Sequence, residues 1–121
     1  MAYKKSLGKA GEEAAKTYLC AQGYCILETN FRCKTGEIDI IARDEEYIAF
    51  IEVKTRSNLV YGLPIEAINK RKQYSIIKTA QTYLAKKYLR DINLRFDVVE
   101  VMVDNNKSNE IQEIRLIKNA F

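Results

Sequence analysis

Two stretches with an apolar period of three to four residues, 6–22 and 66–89, bracket three short β-rich runs, and two more such runs follow the second stretch. In the first, Leu7, Gly11, Ala14, Ala15, Tyr18 and Leu19 recur at helical spacing, with Ser6 as the expected N-cap and Gly23 as the terminator. In the second, Ile68, Ile76, Ile77, Ala80, Tyr83, Leu84 and Tyr88 share one side, while Lys70, Arg71, Lys78 and Lys86 fall largely elsewhere. Residues 24–31, 36–43 and 47–56 read as strands, the last two joined through the acidic tip Asp44, Glu45, Glu46. Residues 57–64 hold the single proline and Gly62 and read as a loop; 94–103 and 110–117 read as strands around a polar turn at 104–109. The predicted order is α-β-β-β-α-β-β. Its second helix is long enough for a crossover, so a layered α/β or α+β architecture with a partly parallel sheet is expected.

At 121 residues, 47% hydrophobic and 30% charged, the chain is expected to form one domain with a real core. Its apolar runs are far shorter than the roughly 18 residues of a membrane span. The basic start runs straight into Glu12 and Glu13 without an apolar stretch, so no secretory signal is read there and a cytoplasmic location is expected. Cys20, Cys25 and Cys33 match no zinc spacing and leave an odd thiol, which favours reduced cysteines in packing roles. Histidine is absent, which excludes Ser-His and Cys-His hydrolases and His-ligated zinc. Any catalysis must rest on carboxylates, lysines, tyrosines or a metal.

The net charge of +4 is unevenly spread: residues 54–95 carry ten Lys and Arg against Glu66 and Asp91, or +8, leaving −4 elsewhere. A basic segment beside an acidic one suits a polyanion near a metal site, and equally a solvated helix face. The informative stretch is 36–43 followed by 50–56. Glu52 and Lys54 are two apart on one strand and therefore share a face. If paired residues of the hairpin sum to 91, Asp39 lies opposite Glu52, and any odd sum keeps the two on one face. Two such carboxylates, with the Val53 backbone carbonyl as a third oxygen, suit Mg²⁺ or Mn²⁺. Lys54 would orient or help deprotonate the attacking water and offset charge growing on a phosphate. The plain alternative is a cross-strand ion pair with Asp39 idle. Glu12, near the packed side of the first helix, reads either as an outer or second-metal carboxylate or as a charge near the helix N-terminus.

The combination of Gly11-Glu12-Glu13-Ala14-Ala15, Gly23-Tyr24, Asn30-Phe31-Arg32, Gly36-Glu37-Ile38-Asp39-Ile40-Ile41, Phe50-Ile51-Glu52-Val53-Lys54-Thr55-Arg56 and Arg95-Phe96-Asp97-Val98 resembles the YraN family of bacterial proteins, and more broadly the PD-(D/E)XK nuclease superfamily. The resemblance covers nearly the whole chain. It implies a restriction-endonuclease-like three-layer core with a mixed central β-sheet flanked by helices, Asp39 and Glu52 as metal ligands, and Lys54 as the catalytic lysine. Glu12 then corresponds to the first-helix acidic residue of resolvase-like nucleases. Ile38 stands where the superfamily has proline. Gln73 resembles the helix glutamine of RecB-like nucleases, with Ile77 where their tyrosine is expected.

The expected activity is metal-dependent hydrolysis of DNA, on branched or repair intermediates. Arg56, Lys70, Arg71, Lys72 and Gln73 are the expected nucleic-acid contacts, and a homodimer would bring two sites to two strands. The rival readings are a nucleic-acid-binding module that keeps the fold without cutting, and a protein-interaction domain.

Overall fold

The computed structural model describes residues 2–57, 68–104 and 110–121. Its elements follow the predicted order: α1 (Ala2–Ala21), β1 (Cys25–Cys33), β2 (Gly36–Asp44), β3 (Tyr47–Ser57), α2 (Lys70–Lys86), β4 (Asn93–Asp104) and β5 (Glu110–Ile117). The strands lie side by side in chain order. β1, β2 and β3 form an antiparallel meander, α2 crosses over so that β4 runs parallel to β3, and β5 returns antiparallel to β4. The result is a three-layer α/β fold: a mixed five-stranded sheet with one helix on each face.

Strand alternation divides the core in two. On one face Ala15 and Leu19 of α1 pack over Ile40, Ala42, Ala49, Ile51, Val99, Val101 and Val103. On the other, Ile76, Ala80 and Tyr83 of α2 cover Ile41, Ile48 and Phe50, and the Tyr83 ring meets Phe31 and Phe50 edge-on at 5.3 and 6.1 Å. Gly11 stands one helical turn before Ala15 on the same stripe of α1. A Cβ there would run into the Thr55 hydroxyl, so glycine is what lets α1 approach β3.

Several local expectations change. α1 begins at Ala2, so Ser6 lies inside the helix and not at its cap. Its end is as read: Gly23 takes φ 96°, its N–H bonds to the Cys20 carbonyl, and the Tyr24 N–H bonds to that of Leu19. α2 starts later than predicted, at Lys70, because Asn69 caps it by accepting the Lys72 N–H at 2.8 Å. It stops at Lys86, which leaves Tyr88 beyond its end and 91% exposed, while Ile77, next to buried Ile76 and about 100° around the helix, is 38% exposed. Ser57 belongs to β3; the rest of the loop read at 57–64, and 105–109 of the polar turn, lie outside the described residues. Cys20 and Cys25 are exposed, so of the three cysteines only Cys33 packs against a core cluster. No helix among the described residues is long and apolar enough to cross a membrane.

Behind β4 a polar cluster ties the chain ends to the sheet. Asp97, fully buried, accepts from the Tyr24 hydroxyl at 2.9 Å, from the Arg95 guanidinium and from the Asn119 N–H at 2.9 Å. Arg95 also donates to Asp44 at 2.7 Å, and Phe121 stacks on Phe96 at 5.1 Å. Every oxygen of Asp97 has a donor, which is what a buried carboxylate requires.

Candidate functional site

The hairpin pairs with the register that sums to 91, from Asp44 and Tyr47 to Ile40 and Ile51. Asp39 stands one residue past the last of these pairs. There the two-residue alternation of β2 fails: Ile40 packs into the α1 core but Ile38 into the α2 core. The neighbouring strand is irregular too, opposite Asp39 itself and again opposite Ile41 and Ala42. β1 carries a bulge between Ile26 and Glu28, and Asn30, between the pairs Thr29 with Ile40 and Phe31 with Ile38, is left-handed with φ 53°. Asparagine is one of the few residues that tolerates this conformation. Asp39 is therefore not placed by simple alternation, as the paired-register reading assumed. It sits where β2 changes face, and its Oδ2 accepts the Val53 N–H at 2.8 Å. Val53, read from sequence as a carbonyl ligand, meets Asp39 through its N–H.

This anchor puts Asp39 beside Glu52. Burial is the main reason, and the hydrogen-bonded, like-charged Glu52 the next, that the Asp39 carboxyl is pushed up to about 8. Glu52 itself is 13% exposed and lies 3.3 Å from the Lys72 ammonium through Oε2. The ammonium is close but not aligned, so Oε2 is buried without a hydrogen-bond partner. A carboxylate pair with an unsatisfied oxygen is a donor set suited to a hard divalent cation. Among the described residues no three acidic or cysteine side chains form a larger metal-binding group.

Glu12 comes to Asp39 from α1. Partial burial and the neighbouring Asp39 raise its carboxyl above the ordinary range. Glu12 and Asp39 line a groove of about 390 Å³ between α1 and the first two strands, together with Lys9, Lys16, Asn30 and Arg32. Its cations come from residues that the sequence reading passed over. Lys9 and Lys16 each stand three and four residues from Glu12 and Glu13 on α1, so that part was legible; the approach of Asn30 and Arg32 was not.

The other expected site residues divide. Lys54 shares the Glu52 face of β3 by alternation and stands in register with Glu100 of β4. Arg56, expected to contact phosphate, is 14% exposed and forms an ion pair with buried Glu100 at 3.1 Å. Lys70 and Arg71 are exposed in the first turn of α2. Gln73 turns back on its own helix, donating to the Ile68 carbonyl at 2.8 Å. Lys72, expected on nucleic acid, is paired with Glu52. Asp39, Glu52 and Lys72 thus come together, with Glu12 flanking, while Arg56 and Gln73 are engaged elsewhere.

The model of the uncharacterised protein family UPF0102 matches residues 11–101, which includes all of these acidic residues. The chain is 55% identical over 118 residues to a UPF0102 protein of Clostridium botulinum strain 657, covering 97% of this chain and 94% of that one. It is 52% identical over 120 residues to one from Acetivibrio thermocellus, covering 98% and 92%. A third, from Clostridium kluyveri, is 49% identical over 119 residues, covering 98% and 96%.

Proposed function

Since the chain belongs to the uncharacterised protein family UPF0102, the family its YraN-like motifs point to, the activity is read from its own site, and we propose that it is a metal-dependent nuclease hydrolysing DNA phosphodiester bonds. The observation that carries this reading is the buried Asp39–Glu52 pair, two hard-oxygen donors brought together at an irregularity in the sheet. Like carboxylates are costly to hold together unless a cation is to lie between them. The resemblance to PD-(D/E)XK nucleases supports the same assignment.

Asp39 and Glu52 hold Mg²⁺ or Mn²⁺ in this scheme. Such an ion supplies electrostatic stabilisation at the phosphoryl group and makes water acidic enough to attack. The Val53 N–H fixes the Asp39 carboxylate, and Lys54, on the Glu52 face, offsets charge gathering on the phosphate oxygens. The groove lined by Glu12 and Asp39 places the cations Lys9, Lys16 and Arg32 beside the Asp39 end of the pair, where they would attract a phosphate backbone. Branched recombination and repair intermediates are the substrate class to try first.

The test is cleavage of labelled linear, single-stranded and four-way-junction DNA in Mg²⁺ and Mn²⁺, with Glu52→Ala and Lys54→Ala beside the parent. Cutting by the parent and loss in both variants is the expected result. A parent that binds these DNAs and cuts none would make the protein a binding module with a nuclease-like site. Neither binding nor cutting would favour a protein-interaction domain.

A further inference from the structure

The metal reading leaves one residue with an odd placement. Lys72 lies in the first turn of α2 with Lys70 and Arg71, and no acidic residue accompanies them. The N-terminal end of a helix carries partial positive charge, so three cations there are electrostatically unfavourable. For Lys72 the compensation is Glu52, at 3.3 Å.

The two partners differ in freedom. Glu52 is rooted in β3 and 13% exposed, whereas Lys72 is 48% exposed at the end of a flexible four-carbon stem. Its backbone is fixed: Asn69 holds the Lys72 N–H at 2.8 Å, and Gln73 donates to the Ile68 carbonyl at 2.8 Å. The ammonium can swing into water without any movement of α2, and leaving Glu52 Oε2 breaks no aligned hydrogen bond to that oxygen. A divalent cation on the same oxygen would engage both carboxylates, which the ammonium does not.

We propose that Lys72 is a built-in, exchangeable counter-ion of the carboxylate pair, competing with a divalent cation for Glu52 and so setting the affinity of the site. The inference rests on the metal reading given above and adds a positioning role on α2 to it. Without the ion Lys72 offsets the charge of Glu52 by contact and that of Asp39 at longer range, and it gives way to the ion, which repels it.

The test uses the full chain and Mn²⁺ alone, with affinity followed by titration calorimetry and by the electron paramagnetic resonance signal of free Mn²⁺. Lys72→Met keeps the stem and helix propensity and removes the charge; Lys72→Arg keeps the charge; Glu52→Gln removes the contested ligand. Repulsion between an ammonium and a divalent ion a few ångströms apart predicts that Lys72→Met binds Mn²⁺ about tenfold more tightly than the parent. Lys72→Arg should stay near the parent, and Glu52→Gln should lose binding. Equal or weaker binding by Lys72→Met, with parent binding intact, overturns the counter-ion role and leaves the metal reading standing. Absence of Mn²⁺ binding in both parent and Lys72→Met overturns the metal reading and the inference together.

Discussion

At the scale of single residues, Asp39 shows how a carboxyl can be well bonded and still costly. Its Oδ2 is satisfied by the Val53 N–H, yet burial and Glu52 favour the protonated form. The raised pKa fixes the sign of a pH effect. The native state holds this proton more tightly than the unfolded chain, so without divalent cations stability falls as pH rises from the ordinary carboxylate range, about 4, through about 8. Thermal melts between pH 5 and 9 in EDTA should show the decline, and Mg²⁺ or Mn²⁺ should reverse it at pH 8. Asp39→Asn keeps an acceptor for Val53 and removes the like charge. It is expected to melt higher than the parent at pH 8 in EDTA, by roughly 1 kcal/mol of stability, while losing cleavage. Strict alternation assigns Glu52 and Lys54 to one face, and the pairing of β3 with β4 runs through both without a shift. Alternation could not place Asp39, because the change of face depends on Asn30 in the neighbouring strand, and nothing in the apolar pattern of 24–31 marks that residue as left-handed.

Two contacts of the helices decide how the layers meet. Gly11→Ala would drive a methyl group into the Thr55 hydroxyl and push α1 from β3, with a cost of about 1–3 kcal/mol in chemical denaturation. Adding Thr55→Ala should recover most of that loss, and a double-mutant cycle measures the coupling. On the opposite face, Asn69→Ala removes the α2 cap and should cost about 1 kcal/mol. Because the cap bonds to Lys72 itself, the same substitution should also alter Mn²⁺ affinity, whereas removal of a cap far from the site would not. The helices were legible from their periodicity, since Ala15, Leu19, Ile76, Ala80 and Tyr83 are buried as read. Their starts were less so. Ser6 looks like a cap but is followed and preceded by helix, and Asn69 is a cap inside a stretch whose apolar period runs on through it.

Across the whole molecule, the polar cluster around Asp97 joins the turn after α1, the end of β2, the strand β4 and the chain after β5. Tyr24→Phe deletes the hydroxyl that lies between Arg95 and Asp97 and should cost roughly 1–2 kcal/mol, read as a lower melting temperature. Asp44, held below the ordinary carboxylate range chiefly by Arg95 and then by Lys118, adds stability at neutral pH that is lost as pH falls below about 4 through its depressed value. Asp44→Asn should accordingly flatten the acid side of a stability profile. This cluster spans more than seventy residues, and no local spacing announces it; only the seven-element succession and the crossover were readable at this scale. Among the described residues β1 and β5 are the two edge strands of the sheet, because strand order equals chain order. β5 shields its margin with Glu110, Glu113 and Arg115, but β1 has few charges and an exposed Leu27. There the bulge and the left-handed Asn30 interrupt the row of amide and carbonyl groups that another strand would need as a template. The distortion that sets Asp39 in place therefore also protects the protein from aggregation: two copies cannot zip along β1 into a continuous sheet without first straightening the backbone next to the carboxylate pair.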